Sequence, residues 1–303
     1  MGEHLAAAQE RMIRAADLLD LTEEVVSHLC HPIETLAASV NLRRDDGSAV
    51  TLKAWRCRYN SALGPTKGGI RFHQSVHLDE VETLAFLMTM KCALQGFGNA
   101  GRWFAQAAAQ AGHRIVAVAD SSGTVSDSEG LDIEALSKTK DETGKVTAFD
   151  DGNAGSSDDP EDVLSAECDV LVFAALGGVI ADADDAKALN CKAIVELANR
   201  PILPAADKAL ADAGIEVVPD ILANGGGVTV SHAEWVQGRQ GIDWDPEDID
   251  DYLEDRIADA ADNVREVMQE CDTDMRTAAY AVALRRLCRA ISAHGTLADF
   301  GKS

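Results

Sequence analysis

The sequence predicts an α/β protein built on a doubly wound parallel sheet. Three observations carry that expectation. Beyond Gln95, short β-rich runs alternate with helical stretches, G-x-G-x-x-G stands at 96–101 at the head of the first of those stretches, and an acidic residue closes the next run.

In chain order, residues 3–30 place apolar side chains at helical spacing and read as one or two helices. The run "ASVNLRRDDGSAVTLKAWRCRYN" holds two extended stretches around D-D-G-S, so a hairpin is expected from about Ala38 to Tyr59. "GPTKGGIRFH" follows as a loop. From Leu78, "LDEVETLAFLMTMKCAL" has an acidic first turn and an apolar face, which favours a helix to about Met90. Its end, "MTMKCAL" at 88–94, suits the close of that helix or a short buried strand equally well.

A helix is expected from about Gly98 to Ala111, then the strand "HRIVAVAD" and a helix near 132–140. "CDVLVFAAL", a helix near 182–189, "KAIVELA", a helix near 204–213 and "IEVVPDIL" continue the alternation. Two long helices close the chain, "DPEDIDDYLEDRIADAADNVREVMQE" and "MRTAAYAVALRRLCRAISAH". The expected division is 1–94, 95–245 and 246–303.

In "GFGNAG" the residue types suit a dinucleotide. Gly96 permits the turn, Gly98 lets backbone approach a pyrophosphate, and Gly101 allows close helix packing, with Phe97 and Asn99 between them. Asp120, ahead of Ser121 and about 20 residues on, stands where a carboxylate meets ribose hydroxyls. A Rossmann-like turn is normally fed by the first strand of its sheet, and here only 88–94 is available for that place.

Composition narrows the function classes. The 51 Asp+Glu against 27 Lys+Arg give a net charge of -24, spread as short clusters over the whole chain. Nucleic acid and anionic membranes are therefore not expected partners. A solvated acidic surface of this kind is expected in a halophile's cytoplasm, where salt screens its self-repulsion. The seven cysteines lack metal-ligand spacing and are expected to be buried free thiols, with no metal site. The N-terminus reads as a charged amphipathic helix, so the protein is expected to be cytoplasmic. Trp55, Trp103, Trp235 and Trp244 are expected to pack rather than to stack on bases.

"GPTKGGIRFH", "LDEVETLAFLMTMKCAL", "QGFGNAG", "VAVADSSG", "GLDIEAL", "VELAN", "ILANGGGVTVSHAEW" and "MRTAAYAVALRR" stand in the order found in glutamate dehydrogenases, and the chain resembles the Glu/Leu/Phe/Val dehydrogenase family from about Glu34 onward. The resemblance implies oxidative deamination of glutamate to 2-oxoglutarate and ammonium, with NAD or NADP as cofactor, and a homo-oligomer. It also implies that Lys67, Lys91, Val228 and Ser231 bind substrate. Gly96, Phe97, Gly98, Asn99, Gly101, Asp120, Ser121, Asn199 and Asn224 are implied to bind the cofactor.

Against that pattern, the family's catalytic lysine and aspartate have no matching position here, and neither does its first nucleotide-domain strand. The resemblance places an internal deletion between Leu94 and Gln95, leaving a truncated N-terminal α/β substrate domain, a Rossmann-like domain and C-terminal helices. "VELANRP" carries Leu197 and Arg200 where small glycines are usual. Three readings stay open: a working dehydrogenase, a non-catalytic nucleotide-binding or regulatory relative, and a deletion product without a function of its own. Asp120 does not decide between NAD and NADP.

Overall fold

The computed structural model describes residues 3–43, 49–58, 100–110, 113–175, 177–241 and 243–293. In chain order it has α1 (Glu3–Leu18), α2 (Glu23–Cys30), β1 (Glu34–Arg43), β2 (Ala49–Arg58), α3 (Ala100–Gln110), β3 (Ala117–Asp120), β4 (Gly123–Ser126) and α4 (Ile133–Thr143). There follow β5 (Gly155–Ser157), β6 (Val170–Phe173), α5 (Ala183–Lys187), β7 (Ala193–Glu196), α6 (Pro204–Asp212) and β8 (Glu216–Val218). The chain closes with α7 (Asp220–Ala223), α8 (Gly226–Gln240), α9 (Pro246–Cys271) and α10 (Met275–Ala293).

Packing divides the chain into two units, Met1–Ala93 with Gly225–Ser303, and Leu94–Asn224. In the first, α1 buries Leu5, Ala8, Met12 and Ala15, one stripe at helical spacing, and packs on α10. α10 buries Ala278, Ala281, Leu284 and Leu287, and also packs on α9. Small residues on these stripes let the helix axes approach closely. The hairpin pairs β1 with β2 antiparallel, with Val40 opposite Leu52, and begins four residues before the expected Ala38. Leu36, Val40 and Leu52 on its one face are exposed.

The second unit holds two three-stranded sheets. β6, β7 and β8 are parallel, with Val170 opposite Ala193 and Ala193 opposite Glu216. Leu171, Phe173, Ile194, Ile202 and Leu210 form their core, and complete burial of a side chain such as Ile194 stabilises by roughly 1.5–3 kcal/mol. This is the parallel α/β part that the alternating pattern predicts.

The other sheet departs from the expectation of one continuous parallel sheet. "HRIVAVAD" supplies β3, which pairs antiparallel with β4, and β4 pairs antiparallel with β5. The reason lies in "DSSG". Asp120 Oδ1 accepts from Ser122 N (2.7 Å) and Ser122 Oγ (2.5 Å), a side-chain-closed turn, and Gly123 at φ +135° sends the chain back. A Cβ on Gly123 would lie 2.0 Å from the Ser157 carbonyl oxygen, so β5 can pass only because that residue is glycine. Val125, Leu131, Leu136, Val146 and Phe149 pack behind this sheet.

Helix ends follow local chemistry. Asp132 accepts from Ala135 N at the start of α4, and Gly144 closes it at φ +78°. Asp182 accepts from Asp184 N and Asp185 N at α5. The six described cysteines form no disulfide and are half-buried rather than fully buried, Cys168 and Cys191 at the rim of the β6–β8 core. Trp103 is 70% exposed on α3, contrary to the packing expected of it. Trp244 meets Tyr252 edge-on at 5.4 Å, and Arg239 lies 5.6 Å over the Trp235 ring.

Candidate functional site

In a parallel sheet, ligands meet the carboxyl ends of the strands. Asn199 lies in the loop after β7, and Asn224 directly follows α7. Asn224 is buried, and its Nδ2 donates to Leu197 O (3.1 Å) and to Asn199 Oδ1 (3.0 Å). Those two bonds assign the amide orientation. Its Oδ1 then lies buried with no donor among the described residues. A buried acceptor left so is worth about 1–3 kcal/mol to any ligand donor that reaches it.

Two buried carboxylates tie the neighbouring backbone together. Glu196, the last residue of β7, accepts from Asp220 N (2.8 Å). Asp220 accepts from Ile221 N (2.7 Å) and from Arg200 N (2.9 Å), so it ties the loop after β7 to the start of α7. Arg200 takes a left-handed φ of +50°, which explains why glycine suits that position. Across from it, a Cβ on Gly177 would lie 2.8 Å from Asn199 O and 3.1 Å from Arg200 O, so the two loops touch backbone to backbone.

Asp120 ends β3 as the sequence places it. Besides Ser122, its carboxylate accepts from Val146 N (3.1 Å) and pairs with Lys140 Nζ (3.2 Å). Burial raises its pKa, and the donors of Ser122, Lys140 and Val146 outweigh that, leaving the carboxyl below the ordinary carboxylate range. The two oxygens thus already hold four protein donors. Ser121 is exposed on the turn.

Gly101 is the second residue of α3. Gly96, Phe97, Gly98 and Asn99, together with Lys67 and Lys91, lie outside the described residues. So does the segment 88–94, on which the alternative of helix or first strand turned. Val228 and Ser231 lie one helical turn apart on α8, half-buried, within the other unit. The structure therefore brings Asn199 and Asn224 together. Glu196, Asp220 and Lys140 are additions that sequence reasoning missed; the one signal for the first was a carboxylate closing the apolar run "AIVE".

A cofactor of the NAD(P) kind fits the nicotinamide end of this arrangement, because the orphaned Asn224 Oδ1 offers an acceptor to an amide or hydroxyl donor. The class is thus an α/β protein with a buried amide acceptor at the carboxyl end of parallel strands.

Comparison with known proteins makes the class specific. Residues 69–295 match the model of the Glutamate/Leucine/Phenylalanine/Valine dehydrogenases, and residues 32–101 that of the Glu/Leu/Phe/Val dehydrogenase dimerisation domain. The chain belongs to the Glu/Leu/Phe/Val dehydrogenase family, and within it is an oxidoreductase of the glutamate dehydrogenase kind. It is 29% identical over 420 residues to the NADP-specific glutamate dehydrogenase of Synechocystis, covering 97% of this chain and 98% of that protein. It is 31% identical over 408 residues to the glutamate dehydrogenase of Thermotoga maritima, covering 95% and 97%. Among solved structures, the hetero-hexameric glutamate dehydrogenase of Thermus thermophilus in its Leu-bound form superposes with a TM-score of 0.86 at 24% identity, over 95% of this chain and 96% of that one. That likeness concerns the fold. Among the described residues, no helix is long and apolar enough to cross a membrane.

Proposed function

We propose that this chain binds NADP(H) at the Asn199–Asn224 platform, and that its turnover of glutamate and 2-oxoglutarate is strongly reduced. The observation that carries the first part is the buried Oδ1 of Asn224 beside Asn199, which has no donor among the described residues. When bound, the cofactor supplies a hydride acceptor for oxidation at an amine-bearing carbon. Asn224 would orient its amide end, Glu196 holds the backbone of Asp220, and Asp220 holds that of Arg200.

NADP is favoured over NAD by Asp120. A free 2'-hydroxyl needs a carboxylate with an open lone pair, whereas this one is engaged by Ser122, Val146 and Lys140. Lys140 at the same place supplies a cation suited to a 2'-phosphate. The Synechocystis relative is named NADP-specific.

Reduced turnover rests on the resemblance, which leaves the family's catalytic lysine and aspartate without a counterpart. The relatives' alignments run over 420 and 408 residues against 303 in this chain, which supports an internal deletion. Loss of a group that acts as general acid or base commonly lowers rate about 10²–10⁴-fold. Lys67, Lys91, Val228 and Ser231 are the substrate-binding residues of this reading, a homo-oligomer its assembly, and a salt-rich cytoplasm its setting.

The test is the initial rate of NADPH oxidation with 2-oxoglutarate and ammonium in molar KCl. The expected result is a rate indistinguishable from a protein-free control. Turnover at ordinary enzymic rates would overturn the impaired reading and place the acid–base groups elsewhere in the chain.

A further inference from the structure

The entry end of the parallel sheet holds a feature that the dehydrogenase reading does not use. Cys168 stands two residues before β6 and Cys191 two residues before β7. β6 and β7 pair in parallel with Val170 opposite Ala193, so the same register carried two residues back sets Cys168 opposite Cys191. Cys168 N donates to Asn190 O (3.2 Å), and Lys192 N and Ala193 N both donate to Asp169 O (3.0 Å each), so the two backbones stay hydrogen-bonded to each other where the ladder gives way to a bend.

Facing residues of neighbouring strands stand about 4.7–4.9 Å apart, inside the roughly 4.4–6.8 Å between Cα atoms that a disulfide accepts. Both thiols are free, half-buried, and packed against the Leu171–Ile194 core. Burial raises the pKa of the Cys191 thiol, and the neighbouring Cys168 raises it further. The other described cysteines, Cys30, Cys57, Cys271 and Cys288, belong to the other unit.

We propose that Cys168 and Cys191 form a dithiol pair that a low-molecular-weight disulfide converts into a cystine bridge between the entry ends of β6 and β7. In the first step one cysteine thiolate attacks a sulfur of the small disulfide, forming a mixed disulfide and releasing one small thiolate. In the second, the neighbouring cysteine thiolate attacks the protein sulfur of that mixed disulfide and releases the other. Two protein thiols become one disulfide, and the two electrons reduce the small disulfide to two thiols. A half-exposed bridge of this kind belongs to the readily reduced class, so the change is reversible.

The bridge lies at the end of β7 opposite to Asn199, so it clamps the sheet without entering the cofactor platform. NADPH binding is therefore expected to be the same in the bridged and open forms, which separates this inference from the proposed function.

The test treats the full chain in molar KCl with oxidised glutathione, alkylates the remaining thiols with iodoacetamide, and maps non-reduced peptides by mass spectrometry. The expected product is a peptide pair joined through Cys168 and Cys191, two hydrogens lighter than the separate peptides and parted by dithiothreitol. In Cys191→Ser, Cys168 should instead retain a single glutathione. Wild-type protein in which both cysteines are alkylated, or in which each carries its own glutathione, would overturn the proposal without any variant having to fold.

Discussion

Asn224 Nδ2 donates to Asn199 Oδ1 at 3.0 Å, which couples the loop after β7 to the segment after α7. The same Nδ2 reaches Leu197 O, so one buried amide holds two turns of that loop. Asn224→Leu keeps the volume and removes both bonds. Loss of a buried hydrogen-bonding group of this kind costs about 1–3 kcal/mol, to be read from urea unfolding at high salt. NADPH affinity should fall in the same variant by more than its stability loss explains.

Gly177→Ala should damage the same loop from the other side. The added Cβ would meet Asn199 O at 2.8 Å, and a backbone atom cannot turn away as a side-chain tip can. Overpacking of this sort costs about 1–3 kcal/mol. A melting temperature equal to that of the wild type would show that the 177 and 199 loops are farther apart in solution.

Asp120 gives the protein an acid-sensitive point. Its folded pKa is depressed, so its carboxylate stabilises the fold above the unfolded value and loses that contribution as pH falls through the folded value. The loss belongs below about pH 4. Asp120→Asn, neutral throughout, should be less stable at neutral pH and should show a shallower fall in stability over that acid range, followed by circular dichroism.

Lys140 should discriminate between cofactors. Lys140→Ala removes the ammonium beside Asp120 and is expected to weaken NADPH binding about tenfold, the effect of losing roughly 1.4 kcal/mol, while leaving NADH binding nearly unchanged. Equal weakening of both would place the 2'-phosphate elsewhere.

Net charge sets the solution conditions. With a net charge of -24 the compact state repels itself, and salt at 1 M shortens the screening length to about 3 Å. The melting temperature should rise steadily from dilute buffer to molar KCl. A flat response would mean that the acidic clusters do not destabilise the fold.

Much of this was legible in the sequence. Apolar β-rich runs marked β6, β7 and β8 because strands buried in a parallel sheet are almost continuously hydrophobic. D-D-G-S marked the hairpin, whose strands nevertheless start earlier, at Glu34. β4 and β5 escaped notice because "GTVS" and "GSS" carry a single large apolar residue between them. They exist through the local Asp120 turn and through the close approach of β5 at Gly123, and the second depends on tertiary structure.

The candidate site divides in the same way. Motif order singled out Asn199 and Asn224, and the φ of +50° at Arg200 explains why glycine is expected at that position, while nothing in the structure explains the arginine. Glu196 and Asp220 were missed because carboxylates are usually solvated, and only folding shows that backbone N–H groups surround them. Lys140, in the polar helix α4, reads as a surface residue until β3 is placed against it.

The most direct test of the central claim is a fluorescence titration of the wild-type chain with NADPH in molar KCl. The account predicts a saturable change that weakens sharply in Asn224→Leu. A protein shown to be folded by circular dichroism and yet giving no saturable change would contradict it.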